Sequence, residues 1–312
     1  MKISVQTGGI EEHLGIEKAY QLIKESGFDA ADANVDHVVT CGQINRRELP
    51  REFFGSEKDI LPLFEPWRTA SRKMGVPNYQ AHAPFPSYVW CPDDPAYNDA
   101  LLEMLRKTII GCDYIDCRNL IIHPFYFPYE HQLPREQENE LNLERYGKLA
   151  DTAKKYGVTI NLENMFVGYR GKMRMAVCSD MNQTCQLIDE LNRRAGSKVF
   201  GFCLDTGHAL LLGLDILHIM TVLGDRITAF HVHDNNGITD QHLAPYSGLL
   251  DWDRFIEGLK AIHFSETMSF ETFNVWNTMD EALCPEYMKF IAKIGRYFAE
   301  RAEKNDPLPE VL

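Results

Sequence analysis

A chain of 312 residues can bury a large core and suits one large domain or two small ones. Its 45% hydrophobic and 25% charged residues are ordinary for a soluble globular protein, and no stretch approaches the roughly 18 apolar residues of a membrane span. A net charge of −13 without a basic run counts against a nucleic-acid partner, which needs Lys and Arg to neutralise phosphates.

The N-terminal MKISVQTGGIEEH has no apolar run of signal-peptide length. The eight cysteines form no CxxC pair, so free structural thiols and a cytoplasmic setting are expected. GxxxxGK[ST], GxGxxG and HExxH are all absent.

Short β-type runs alternate with helical patterns from end to end. The expected strands are 2–7, 29–34, 78–83, 119–124, 158–164, 199–205, 227–234 and 266–273. Between them lie apolar residues at helical spacing, as in IEKAYQLIKESGF, ALLEMLRKTIIGC, LERYGKLADTAKKYG, MNQTCQLIDELNRR and DWDRFIEGLKAIH. Ser179-Asp180 and Asp251 are placed to cap two of these helices. Eight strands alternating with helices predict a single α/β domain, a (β/α)8 TIM barrel over residues 1–312, with an open doubly wound sheet as the alternative. Long connections follow strand 2 (roughly 35–56) and strand 5 (roughly 165–181), on the face where a barrel builds its site.

Metal-compatible side chains cluster near the ends of six of these strands. In chain order they are His82, His123, Glu163, Asp205 with His208, His231 with Asp240 and His242, and Glu271. Side chains in a strand alternate between faces. Gln80 therefore shares a side with His82, Asn161 with Glu163, Ala229 and His233 with His231, and Thr267 and Ser269 with Glu271. The opposite faces are apolar, so the candidate ligands should point into the barrel mouth. A lone buried His or Asp is usually a hydrogen-bonded core residue, and Asp205 and His208 could simply cap a βα junction. Nine such residues at successive strand ends are harder to attribute to chance. His13, His37, His131, His218 and His263 lack this placement and read as surface or packing residues. Acids and imidazoles around one divalent ion can polarise a carbonyl, while neighbouring carboxylates move protons on and off carbon. That is a recipe for aldose–ketose isomerisation or epimerisation.

The ordered motifs HAP, HP, INLENM, DTGH, HxHDN, DxH and FE resemble the xylose isomerase-like barrel superfamily, and within it the sugar phosphate isomerase/epimerase family. The resemblance implies a metal-dependent sugar isomerase or epimerase acting next to the carbonyl of a ketose or related keto-sugar. Matched to ketose 3-epimerases, Glu163, Asp205, His231 and Glu271 resemble the ligands of one divalent ion, with manganese the first expectation and cobalt, magnesium or zinc the alternatives. Glu163 and Glu271 would also be the catalytic proton carriers. His208 resembles a contact to substrate oxygen, and His82, His123, Asp240 and His242 would grip hydroxyls beside it. His233 matches the ligand position less well than His231. The family's Arg after the metal His is missing from NNGITDQH. A lyase or dehydratase on a keto-sugar or keto-inositol uses the same base and metal. Endonuclease IV, with three zincs on nine matching positions, is the third reading, and the net charge opposes it. A small sugar substrate, no nucleic acid and no membrane are the expected partners, and barrels of this group often pair as homo-oligomers.

Two further sets admit two readings each. Phe85, Tyr88, Trp90, Phe125, Tyr126, Phe127, Phe166, Phe273 and Trp276 suit either a sugar's C–H face or packing under loops. Arg170, Lys172 and Arg174 suit either an anionic substrate or a solvated loop.

Overall fold

In the computed structural model, whose described residues are 1–304, each of the eight expected strands is present and slightly shorter than the sequence pattern. The elements in chain order are β1 (Lys2–Gln6), α1 (Ile10–Leu14), α2 (Ile16–Glu25), β2 (Ala30–Ala33), α3 (Cys41–Arg46), α4 (Leu61–Met74), β3 (Asn78–His82), α5 (Tyr97–Tyr114), β4 (Asn119–Ile121), α6 (Arg135–Tyr156), β5 (Thr159–Glu163), β6 (Phe166–Tyr169), β7 (Lys172–Met175), α7 (Met181–Ala195), β8 (Phe200–Asp205), α8 (Thr206–Leu211), α9 (Ile216–Leu223), β9 (Ile227–His231), α10 (Trp252–Ala261), β10 (Thr267–Phe270), α11 (Asn274–Thr278) and α12 (Cys284–Glu303). The expected domain's last stretch, 305–312, lies outside the described residues.

The main sheet runs β10-β1-β2-β3-β4-β5-β8-β9 with every pairing parallel. Its two ends meet. Val232 N–H donates to the Ser269 carbonyl (2.8 Å) and Glu271 N–H donates to the Val232 carbonyl (3.1 Å). The ring is therefore closed, and the open doubly wound alternative does not apply.

Local sequence explains the surrounding layer. In α2, Ala19, Tyr20, Leu22 and Ile23 form one buried stripe. Asp180 and Asp251 cap α7 and α10 as expected, accepting from Gln183 N–H (3.2 Å) and Arg254 N–H (3.1 Å). The C-terminal helix α12 approaches the sheet at Gly295, where an added Cβ would lie 2.8 Å from the Phe270 ring and 3.1 Å from Ile3. Under these helices Ile3, Val5, Ile160, Leu162, Leu204, Phe230 and Phe270 are buried.

The barrel axis is polar by contrast. Gln80 Nε2 donates to Asp32 (2.7 Å) and to the Phe230 carbonyl (3.0 Å), Ser269 Oγ donates to Asp32 (3.1 Å), and Thr228 donates to Asn161. Ile121, Cys203 and Ala229 form a small apolar patch.

Both long connections carry more structure than bare loops. Residues 35–56 fold into two short 3-10 turns, Val35–Val38 and Arg51–Phe54, around α3. In the 165–181 segment, β6 and β7 pair as an antiparallel hairpin. Its turn places Arg170 (φ 50°) and Gly171 (φ 73°) in the left-handed region, the pattern of a tight two-residue turn.

Candidate metal centre and active site

Strand register brings the acidic ligand candidates to within two residues of one another along the ring. Asp205 pairs with His231 across β8 and β9, and Glu163 with Cys203 across β5 and β8. At the centre, His231 Nδ1 lies 2.9 Å from Glu163 Oε1, 3.5 Å from Glu271 Oε2 and 4.0 Å from Asp205 Oδ2. All four residues are buried. Asp205 does cap a helix, accepting from His208 N–H (2.6 Å), yet its other oxygen faces His233 Nε2 at 2.9 Å. Capping and facing the site are thus one placement.

The remaining candidates flank this centre. On the Glu163 side, His123 Nε2 lies 3.1 Å from Glu163 Oε2 and 3.0 Å from His82 Nε2. His82 Nδ1 donates to the Ala83 carbonyl (2.8 Å). That bond leaves Nε2 of the neutral ring with its lone pair facing the site. Burial, joined by the His123 charge, pushes the His82 imidazole down to about 3, in keeping with a neutral ring. On the Glu271 side, Asp240 Oδ2 accepts from His242 Nε2 (3.0 Å) and His208 Nε2 (3.3 Å), and His242 Nδ1 is 3.4 Å from Glu271 Oε2. His208 Nδ1 donates to the Asn164 carbonyl (2.8 Å). Burial disfavours the charged His208 ring, but Asp205 and Asp240 prevail and raise it to about 10. His242 holds a left-handed φ of 45°, an uncommon backbone state for a non-glycine residue.

The two glutamates share one electrostatic logic. Burial pushes each carboxyl up, and the facing imidazoles reverse it: His231 and His123 hold Glu163 well below the usual carboxylate range, and His231 with His242 does the same for Glu271. Gln6 Nε2 anchors Glu271 Oε1 at 2.7 Å.

The donor set fits a divalent ion. Asp205, His231 and Glu271 offer ligand atoms within 4.8 Å of one another, as do His82, His123 and Glu163, and His233, His242 and Glu271. Among the described residues, buried Glu163 Oε2, His231 Nε2, His233 Nδ1 and Asp240 Oδ1 lack a hydrogen-bond partner. Mixed carboxylate and imidazole donors suit manganese, cobalt, zinc or magnesium.

Several site residues had no strand-end signal in the sequence. Asp32 lies 3.6 Å from His231 Nε2, fully buried beneath the centre, and burial raises its carboxyl to about 6. Its signal is an acid inside a four-residue apolar strand. Gln6 is similarly masked in β1. His233 shares the inward face with His231, stacked on His242 at 4.1 Å. His37, by its sequence placement an ordinary surface or packing residue, lines the cavity above the site, 2.6 Å from Glu11 and 2.9 Å from Glu12. Of the aromatics, Phe85, Tyr88, Trp90, Tyr126, Phe166 and Phe273 line that cavity, whereas Phe125 packs on Tyr146 in the core. Arg170 and Arg174 lie over the Tyr169 ring and, like Lys172, do not line the cavity. No described helix is long and apolar enough to cross a membrane.

The fold finds counterparts among known proteins. Inosose isomerase of Bacillus subtilis is 25% identical over 207 residues, 64% of this chain and 66% of that protein, just under two thirds of its length. A solved D-tagatose 3-epimerase-like protein superposes with a TM-score of 0.67 at 24% identity, covering 96% of this chain and all of its own. The IOLI protein, solved with a zinc atom, superposes with a TM-score of 0.68 at 17% identity, covering 99% of this chain and 100% of its own. At those identities the two structures establish the fold. The family model described as xylose isomerase-like TIM barrel matches residues 20–294, most of the chain, and this protein belongs to that family.

Proposed function

We propose that this chain is a divalent-metal-dependent sugar isomerase or epimerase, moving a proton at the carbon next to the carbonyl of a ketose or related keto-sugar. The observation that carries this reading is the pair of buried carboxylates, Glu163 and Glu271, facing the same His231 nitrogen. They belong to β5 and the end of β10, which flank β8 and β9 in the ring. They thus reach the centre from two sides, as removal and return of a proton on opposite faces of a planar carbon require.

Glu163, Asp205, His231 and Glu271 would hold the ion. When bound, the metal supplies Lewis-acid polarisation of the carbonyl and charge stabilisation of an enediolate. As a carboxylate, one glutamate would take the proton from carbon, and the other, protonated from solvent before the step, would return a proton to the opposite face. Gln6 fixes the Glu271 carboxylate in place. His82, His123, His208, Asp240 and His242, held to one another beside the centre, would line the substrate's hydroxyls.

The three-zinc nuclease alternative finds little support in the cavity wall. Glu12, Asp36 and Glu130 line it, and its arginine, Arg47, is tied to Asp93 by two hydrogen bonds of 2.8 and 2.7 Å. Such a wall repels a phosphate backbone. The test is Glu271→Gln, loaded with manganese and assayed in D2O against a panel of keto-sugars. Wild type is expected to incorporate deuterium, and the variant to lose roughly a thousandfold in rate with its circular dichroism intact. Full exchange by the variant rules out Glu271 as a proton carrier. Loss of water or an aglycone in the products would reassign the reaction to elimination.

A further inference from the structure

The cavity that ends on the glutamate pair is far larger than one sugar ring requires. Its volume is about 900 Å3. A hexose has a dozen non-hydrogen atoms; even at water's share of about 30 Å3 each, it would take up roughly 360 Å3. The observed volume lies near the top of the range of about 300–1,000 Å3 typical of sites for drug-sized ligands.

The unused part has its own chemistry. Away from the ligands, the wall includes Tyr88, Trp90 and Tyr129. Trp90 is 47% exposed although it is held on two sides. His131 stacks on it at 4.2 Å and 9°, and Phe127 meets it edge-on at 5.2 Å. Tyr129 is braced in the same way by Tyr169, stacked at 4.0 Å. Trp90 is thus held from behind and exposed in front, so a ligand stacking on it orders little. Among the described residues lining the cavity, Arg47 is the one arginine or lysine, and Asp93 already occupies its guanidinium. Within that lining a terminal phosphate or carboxylate would face Glu12, Asp36 and Glu130 and the already occupied Arg47; Arg174 lies outside the lining, 5.5 Å from the Tyr129 ring centre.

We propose that the substrate is an uncharged glycoside: its keto-sugar ring sits at the Glu163–Glu271 end, and its substituent, an aryl group or a second sugar ring, lies on the wall of Trp90, Tyr88 and Tyr129. Both substituents share the required chemistry, a flat or C–H-rich apolar face. The identity of the inner ring rests on the sugar-enzyme reading above.

The test is calorimetric titration of the manganese-loaded, full-length protein. The probes are ring-ketone forms of glucose and galactose, each as free sugar, methyl glycoside and phenyl glycoside, together with the ring-ketone forms of cellobiose and lactose. In at least one series the phenyl glycoside or the disaccharide should bind ten times more tightly than the methyl glycoside, and whichever wins identifies the substituent. Trp90→Ala should reduce that ratio to below threefold, and Trp90→Phe, which keeps a flat ring, should restore most of it. Binding of all forms within threefold of one another, or no binding by any, overturns the proposal. A clear preference without deuterium exchange into any keto form would sink the proton-transfer reading and leave the aromatic wall standing. Exchange into free ketoses without any preference would do the reverse.

Discussion

Toward the helices the barrel strands present Ile3, Val5, Ile160, Leu162, Leu204, Phe230 and Phe270; toward the axis they present Asp32, Gln80, Asn161, Glu163, His231 and Ser269. Both sets are buried, and in β5, β9 and β10 they come from the same strand one residue apart. The outer set gains from burial, since each large apolar side chain contributes about 1.5–3 kcal/mol. The inner set gains little, and some of its atoms lack partners: among the described residues, Ser4 Oγ, Asp32 Oδ1, Gln80 Oε1, Asn161 Nδ2 and His231 Nε2 form no hydrogen bond. Each such group costs about 1–3 kcal/mol. The contrast teaches that the outer face holds the fold, while the inner face is retained for what it can bind.

The sharpest way to break that division is to damage each face separately. Phe230 packs edge-on against Phe255 and Phe264, with ring centroids 5.7 and 4.8 Å away. Phe230→Ala should destabilise the protein by about 3–5 kcal/mol in urea unfolding. The folded fraction should still titrate manganese with near wild-type affinity, although His231 is the next residue in the strand. A large loss of metal affinity there would show that the two faces are coupled.

Asp32→Asn tests the inner face with a smaller effect. The carboxylate lies beside the His231 nitrogen that points away from the glutamates. A carboxylate in that position orients a ligating imidazole and raises its basicity, and losing it typically weakens metal binding about 10–100-fold. The expected result is weaker metal binding without loss of thermal stability in the metal-free protein. Unchanged affinity would make Asp32 a packing residue.

The smallest effect belongs to the rim, where neither face's rules hold fully. His37 meets Glu11, Glu12, Asp36 and Asn34, and its hydrogen bond to Glu11 outweighs partial burial to raise the ring to about 9. A folded value above the unfolded one gives stability that is complete below about pH 6.5 and fades as pH rises through about 9. Between pH 7 and 10 the unfolding free energy should fall by about 1 kcal/mol, well under the full shift because the ring is partly solvated. His37→Gln should flatten that slope, and an unaltered slope would remove His37 as its source.

Much of this division is legible in the sequence. Alternation within INLENM and MSFETF separates inward Asn161, Glu163, Ser269 and Glu271 from outward Ile160, Leu162, Met268 and Phe270, and the nine candidate ligands do meet at one mouth. The hairpin of β6 and β7 is less visible because its turn is Arg-Gly, a weaker signal than Asn-Gly, and its second strand carries two charges. Asp32 escaped notice because AADA has no polar alternation; only closure of the ring shows that its carboxylate points at His231. His37 escaped because its partners, Glu11 and Glu12, lie in a different βα connection.

The hairpin also bears on how such a protein can change over generations. It forms its own two-stranded sheet and shares no ladder with the barrel. Yet Phe166 at its base meets His208 edge-on at 4.9 Å, and Tyr169 near its tip backs Tyr129. Mutations that lengthen, shorten or retype residues 166–175 would therefore reshape what the cavity admits while leaving the eight strands and their ligands intact. Substrate preference can drift in such an appendage at little risk to folding, which gives selection a place to explore new compounds.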